Sequence, residues 1–313
     1  MMKCSIICNT YNHENTIEQT IKGFLNQKAN FSIEILIHDD ASVDNTQNIV
    51  KKYEELYPDL IKPIYQEVNQ TRLGKSVSQI NISRANGEYI AICEGDDVWT
   101  DPNKLQKQVD YLDCHSDFVC VGHACKVKNV NFPYKSKLWS YSKVSKELST
   151  QEIIRNRGIV FAYNTLVFRK VDYIYPDFFN DFKVADVKRI LFSSLIGKVY
   201  FMSDVMSIYH VGIKNSWTDR IRLNNDLLIK HYCDEIHFYE KLNDYTSHNF
   251  EHDIMNVNGQ LSFMIKLLRG DKSCLKSMNF INEKLYRKII IYYQLYLPNS
   301  FAFLRRIRFY FWA

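Results

Sequence analysis

The chain has 313 residues, 46% hydrophobic and 24% charged, which suits a globular protein with a sizeable core and excludes a disordered acidic or basic chain. Lys+Arg 40 against Asp+Glu 35 gives a formal charge of +5, a mild balance that fits an anionic small molecule or an anionic membrane surface and does not by itself argue for nucleic acid. The 8 cysteines form no CxxC pair, and Cys4, Cys8 and Cys93 lie in apolar runs, so reduced thiols in a reducing cytosol are expected rather than a disulfide scaffold.

In chain order, Met1-Met2-Lys3 leads directly into an apolar strand over residues 3–8, so no secretory leader is expected. No span reaches the roughly 20 apolar residues that crossing a bilayer requires. Ile17, Ile21, Phe24 and Leu25 recur on one face and predict a helix over 14–28. A strand over 33–37 ends at His38-Asp39-Asp40, and a helix over 44–57 carries Ile49, Val50, Tyr53, Leu56 and Tyr57. A strand near 61–66, a helix near 76–86 and a strand over 88–93 follow. Asp101-Pro102 predicts a helix start, with a capping carboxylate and a proline at the first helical position, and Leu105, Val109 and Leu112 then line one face. Beyond residue 115 the periodicity loosens. A strand is expected over 117–123, a long loop over 126–147, a strand over 164–169, a helix over 184–196 and a strand over 198–202. From Arg220 onward the pattern is mostly helical, and no internal repeat is present.

Strands alternating with helices of this length predict a parallel sheet with helices on both faces, whose ligands bind outside the carboxyl ends of the strands. Three such ends are polar: Asn9-Thr10-Tyr11-Asn12, Asp39-Asp40 and Glu94-Gly95-Asp96-Asp97. Parallel strands bring all three to one edge. The last packs three carboxylates around a glycine directly after the apolar run Tyr89-Ile90-Ala91-Ile92-Cys93. Like charges this close repel, and a hard divalent cation relieves them and would hold a diphosphate. The plain alternative is a solvated acidic turn that caps the next helix.

The segments Cys8-Asn9-Thr10-Tyr11-Asn12-His13-Glu14, His38-Asp39-Asp40-Ala41-Ser42-Val43-Asp44-Asn45-Thr46 and Glu94-Gly95-Asp96-Asp97-Val98-Trp99-Thr100-Asp101-Pro102, in this order, resemble the bacterial family 2 glycosyltransferases. Ala41 stands where the family has glycine, and Glu94 where it has a first aspartate. The resemblance covers roughly residues 3–218 and implies the GT-A fold: an α/β domain with a Rossmann-like, mostly parallel sheet flanked by helices, and a helical C-terminal extension. The catalytic domain would then span 1–218, with a nucleotide-binding half over 1–112 and an acceptor half over 113–218, ahead of a helical region over 219–313.

The resemblance also implies roles. Thr10, Tyr11, Asn12, Asp39, Asp40, Glu94, Asp96 and Asp97 would bind the donor. Tyr11 would stack on the base, and Asp39 or Asp40 would accept from its ring N–H. Asp96 would ligate Mn2+ or Mg2+ bridging the diphosphate, with Glu94 and Asp97 holding metal water or ribose. The family places its base at a helix start before a Gly-Lys-x-x-aromatic strand. Here that residue is Asp186, ahead of Gly197-Lys198-Val199-Tyr200-Phe201; Asp181 is the runner-up, and helix capping is the plain alternative for both. Residues 209–218 look like the family's closing loop, in which Trp217 would shield the donor from water or pack in the core. Gly212 stands where many relatives have histidine, so His210 is expected to be structural. Arg72 and Lys75 are expected to solvate a loop.

The activity implied is inverting transfer from a nucleotide-diphosphate sugar, a UDP-sugar foremost, to a hydroxyl of a surface-polysaccharide or lipid-linked acceptor. The place implied is the cytoplasm, peripherally at the inner face of the cell membrane. The tail Leu304-Arg305-Arg306-Ile307-Arg308-Phe309-Tyr310-Phe311-Trp312 mixes arginine with aromatics and is expected on an anionic membrane surface, docking on the domain being the alternative. Nucleic acid would need a wider basic stripe. A sugar nucleotidyltransferase would need a glycine- and lysine-rich loop after the first strand, which Asn9-Thr10-Tyr11-Asn12-His13 does not supply. A non-catalytic nucleotide-sugar-binding scaffold would have no use for the acidic triplet.

Overall fold

Apolar residues at period two and period 3.6 set the architecture of the first third. A computed structural model of the chain describes residues 2–170, 175–213, 221 and 224–297. Strand β1 (Cys4–Thr10) is followed by α1 (Ile17–Leu25), β2 (Ile33–Asp39), α2 (Thr46–Leu56), β3 (Ile61–Tyr65), α3 (Val77–Ser83) and β4 (Tyr89–Ile92). β1 lies between β2 and β4, and the pairs β1–β2, β1–β4 and β2–β3 are all parallel. The pleat sends Ile6 and Cys8 to one face, onto Ile17, Ile21 and Phe24 of α1 and Val50 of α2. Ile7 goes to the other face, onto Ile82 of α3. The predicted alternation of strand and helix, with cores on both faces, is therefore present.

The second half departs from the sequence reading in instructive ways. After β5 (Val98–Trp99), α4 runs over Lys104–Cys114, not from Asp101-Pro102. Asp101 instead accepts the Asn103 N–H at 2.8 Å, a local turn that delays the helix, whose N-cap Asn103 makes no side-chain bond. The expected loop over 126–147 is largely sheet. β6 (Phe118–Asn129) extends through it and pairs antiparallel with β7 (Phe132–Trp139), and β8 (Lys146–Leu148) follows. Exposed Lys135 and Lys137 on β7 mask its strand character, as charges on an edge strand do. After α5 (Thr150–Arg155), the strand expected over 164–169 shortens to β9 (Val167–Arg169), because Asn164 and Thr165 lie in a 3-10 turn. There Thr165 Oγ1 donates to Ala162 O at 2.7 Å, and Asn164 Nδ2 donates to Ile208 O at 2.9 Å.

Helices α6 (Asp177–Asp181) and α7 (Ala185–Ile196) lead into β10 (Lys198–Val211), nine residues beyond the predicted end at 202. The sheet order is β3-β2-β1-β4-β9-β6-β10-β5, with β7 on β6 and β8 on β10. The β10–β6 pair is parallel, while β9 runs antiparallel to β4 and β6, so the sheet is parallel in its first half and mixed in its second. The C-terminal part is helical as expected: α8 (Asn225–Tyr245), α9 (Glu251–Leu268), α10 (Met278–Ile281) and α11 (Leu285–Tyr296). Phe238, Tyr239 and Leu242 of α8 and Ile254, Val257 and Leu261 of α9 join the core that α5 and α7 build under the sheet. No described helix is long and apolar enough to cross a membrane. Trp217 and the tail 304–312 lie outside the described residues.

Candidate active site

Parallel pairing brings the carboxyl ends of β1, β2 and β4 to one rim, and backbone bonds sew their loops together. The Asp40 N–H donates to Thr10 O, and the Gly95 N–H to Asn9 O, each at 2.9 Å. Thr20 Oγ1 of α1 donates to Gly95 O at 3.1 Å and Asp97 O at 2.7 Å, which ties the acidic turn to the first helix. A Cβ on Gly95 would stand 2.7 Å from Thr10 Oγ1 and 2.9 Å from His13 Nδ1. Close approach of the loops, not a left-handed backbone, is what demands glycine here. Glu94-Gly95-Asp96-Asp97, Thr10, Tyr11, Asn12, Asp39 and Asp40 thus gather on one edge.

Two non-glycine residues at this rim take left-handed backbones, Asn12 at φ 56 and Ala41 at φ 64. Asparagine tolerates that region, and Asn12 is fixed there: its Oδ1 accepts the Val43 N–H and its N–H donates to Ser42 Oγ, both at 2.9 Å. Alanine does so at a cost. Asp39 and Asp40 divide the work that the sequence left open between them. Asp40 receives the Gln70 N–H at 2.6 Å and the Thr71 N–H at 3.1 Å, so both its oxygens hold the loop after β3. Asp39 spends only Oδ1, on Ser42 N–H at 3.0 Å and Gln47 Nε2 at 2.7 Å. Among the described residues its buried Oδ2 has no hydrogen-bond partner. Arg72, read from the sequence as loop solvation, donates to the Tyr11 hydroxyl at 3.3 Å, while Lys75 donates to Gln70 within its own loop.

The acidic turn neither caps a helix nor sits wholly in water. The next element is β5, and Asp97 is buried. Burial, then the Asp96 charge, pushes the Glu94 carboxyl up to about 8, with the Asn9 amide opposing at 3.3 Å and the Asp186 charge adding to the rise. Burial, then Asp96, holds Asp97 well above the usual carboxylate range, against a hydrogen bond from the His210 N–H at 2.8 Å. Among the described residues, none of the three is ion-paired to lysine or arginine. His13 Nε2 lies 3.8 Å from Asp96 Oδ2.

His210, expected to be structural, bonds directly to this turn. Its Nδ1 is 2.6 Å from Asp96 O. A carbonyl only accepts, so Nδ1 carries the proton in this bond. The antiparallel pairing of β10 with β5, Ser207 opposite Trp99, carries the histidine there. No sequence spacing announces that pairing. Asp186 stands in the first turn of α7, and its charge reaches Glu94. Burial raises its own carboxyl above the ordinary aspartate range, against the Val187 N–H at 2.9 Å. Asp181 lies apart, exposed and ion-paired to Lys241 at 3.5 Å.

Crowded carboxylates, one buried and two half-buried, with no described lysine or arginine paired to them, fit a hard divalent cation better than solvent. Among the described residues no three ligating side chains are gathered around one point. A cation here would draw on Asp96 and complete its shell from water and phosphate oxygens, which is how magnesium is commonly held.

A family-wide sequence model described as Glycosyl transferase family 2 matches residues 5–174, more than half of the chain. An uncharacterized protein of Mycobacterium tuberculosis (strain ATCC 25618 / H37Rv) is 38% identical over 164 residues, 50% of this chain and 46% of its own length. The chain thus spans about half the length of the curated relatives it matches. Among solved structures, Staphylococcus aureus TarS 1–349 in complex with UDP superposes with a TM-score of 0.55 at 18% identity, covering 92% of this chain and 77% of that one. The mannosyltransferase PcManGT from Pyrobaculum calidifontis, in complex with GDP-Man and Mn2+, gives 0.54 at 15% identity, covering 99% and 87%. Both likenesses are of fold.

Proposed function

The chain belongs to Glycosyl transferase family 2, and from that premise we infer that it moves a sugar from a nucleotide-diphosphate donor, a UDP-sugar foremost, to an acceptor hydroxyl with inversion. The observation that carries this reading is the meeting, at one sheet rim, of an Asp39 oxygen that no described residue bonds, the crowded carboxylates Glu94, Asp96 and Asp97, which no described lysine or arginine pairs, and Asp186 within electrostatic reach of Glu94. Thr10, Tyr11 and Asn12 form the opening side of that donor site. Tyr11 stacks on the nucleotide base and Arg72 steadies its hydroxyl. Asp39 Oδ2 accepts from the base ring N–H. Asp96 would hold Mn2+ or Mg2+ at the diphosphate, and His210 steadies that turn through its Nδ1 bond to Asp96 O and its N–H bond to Asp97. When bound, that cation supplies Lewis-acid stabilisation of the departing nucleotide. Glu94 and Asp97 would orient ribose or the water around such a cation. Asp186 takes the proton from the acceptor hydroxyl as that oxygen attacks the anomeric carbon.

TarS and PcManGT, crystallised with UDP and with GDP-Man and Mn2+, support a nucleotide donor and a divalent cation on this fold. The acceptor class, a surface polysaccharide or its lipid-linked precursor, rests on the family alone, as does a place at the inner face of the membrane.

Release of UDP from a UDP-sugar tests the reading with a saccharide acceptor and Mn2+. Asp96→Asn and Asp186→Asn should each lower turnover roughly 100-fold or more, and Asp186→Asn should keep donor affinity within about threefold. Undiminished turnover in either variant contradicts that residue's role.

A further inference from the structure

Helix α11 turns to solvent the kind of surface that a helix packed on a domain buries. Leu285 is 75% exposed, Ile289 61%, Tyr292 45% and Tyr296 54%. Their spacing of i, i+4, i+7 and i+11 draws one line along the helix. The anchoring side is different: Ile291 and Leu295 are buried with Phe263, Leu267, Cys274 and Phe280. Exposed Tyr286 and Leu297 widen the outward stripe, and exposed Met278 and Ile281 of α10 extend it. Single exposed hydrophobes are ordinary, whereas a contiguous row marks a contact surface.

The charge near the row is mainly of one sign: Lys284, Arg287 and Lys288 lie at or on the first turn of the helix, with Glu283 the one acid just before it. On the described helix, Lys288 Nζ donates to Ile281 O at 2.7 Å, beside α10. Lys272 Nζ lies 4.1 Å over the Tyr296 ring. Arg287 is paired with Glu283 at 3.2 Å, just before the helix. An apolar stripe, tyrosines that carry a polar tip and a mainly basic rim, with Glu283 and Asp271 as its acids, fit an interface where hydrocarbon meets phosphate.

We propose that the outward stripe of α11 is a membrane-docking face that lies in the plane of an anionic bilayer. Leu285 and Ile289 enter the acyl boundary, the tyrosines sit at headgroup level, and Lys284, Lys288 and Lys272 meet lipid phosphates. A second copy of this chain is the poorer occupant. A two-fold pairing of the stripe would set its basic rim against itself, whereas anionic lipid neutralises it. The proposal goes beyond sugar transfer and does not depend on it, since vesicle binding and donor binding are measured separately.

The test floats the full-length protein with vesicles of phosphatidylcholine alone or with added phosphatidylglycerol. The protein should float with the anionic vesicles, far less with the neutral ones, and less at about 0.5 M salt. A variant combining Leu285→Ser, Ile289→Ser and Tyr296→Ser should bind the anionic vesicles about tenfold or more weakly. Its melting temperature and nucleotide binding should be unchanged, because Ile291 and Leu295 still anchor the helix. Lys284→Glu with Lys288→Glu should also weaken binding without touching the apolar row. Flotation of the serine variant equal to the parent's would overturn the proposal, as would equal binding to neutral vesicles. So would a sedimenting dimer that the serine variant dissociates while neither protein floats.

Discussion

At the scale of single residues, the two adjacent aspartates after β2 do different things, and identical substitutions should separate them. Asp40→Asn removes a charge that receives two backbone N–H groups and should cost about 1–2 kcal/mol of stability in a denaturant titration. Asp39→Asn keeps Oδ1 and its two bonds, so stability should change little, while nucleotide affinity falls at least roughly tenfold because a donor now faces the base ring N–H. Ala41 is the family's glycine position and holds φ 64, so Ala41→Gly should raise stability by about 1 kcal/mol, less the entropy that glycine adds to the unfolded chain. The proposed base works deprotonated, and burial raises its pKa. The acid limb of the turnover profile should therefore lie above the ordinary aspartate range. Turnover should fall as pH drops through it, with Asp186→Asn flattening the limb. Most of these residues were legible in the sequence because each lies at a strand end. The division between Asp39 and Asp40 was not, since it depends on the loop after β3 folding back. Nor was the approach of His210, which depends on β10 and β5 pairing across more than a hundred residues of chain.

At the scale of elements, α4 begins on a residue that a sequence reading would place in water. Lys104 is fully buried, its Nζ lies 4.0 Å over the Trp99 ring, and among the described residues that Nζ has no hydrogen-bond partner. Burial pushes its pKa down to about 7, against the nearby Cys93 and Cys4. The folded value is below the unfolded one, so between about pH 7 and 10.5 the unfolded chain holds a proton that the folded chain has released. This lysine's contribution to stability therefore rises with pH across that window and is lowest below it. Lys104→Met should raise stability by about 3 kcal/mol near pH 6, and by much less near pH 10, in urea titrations at the two values. Elements with a clean hydrophobic period, such as α1 and β2, were readable. The β6–β7 hairpin was not, because an edge strand that keeps lysines outward has no buried face to print a pattern. The start of α4 was misplaced because Asp101 satisfies a turn rather than the helix.

At the scale of the whole molecule, the sequence pattern carried the α/β architecture and the gathering of polar strand ends at the rim proposed to bind ligand. It left unseen that β9, part of the strand expected over 164–169, runs antiparallel and joins the parallel half of the sheet to the mixed half. That strand is three residues long and takes its direction from neighbours far away in sequence. The account depends on that rim clasping a sugar nucleotide together with a divalent cation. Thermal unfolding of the parent and of Asp96→Asn, each with UDP-, GDP- and dTDP-sugars, with and without Mn2+, tests this most directly. One nucleotide class should raise the parent's melting temperature by about 5 °C at roughly a hundred times its Kd, only with Mn2+ present, and the gain should vanish in Asp96→Asn. No stabilisation by any of the three, or a gain indifferent both to Mn2+ and to the loss of Asp96, would contradict the account.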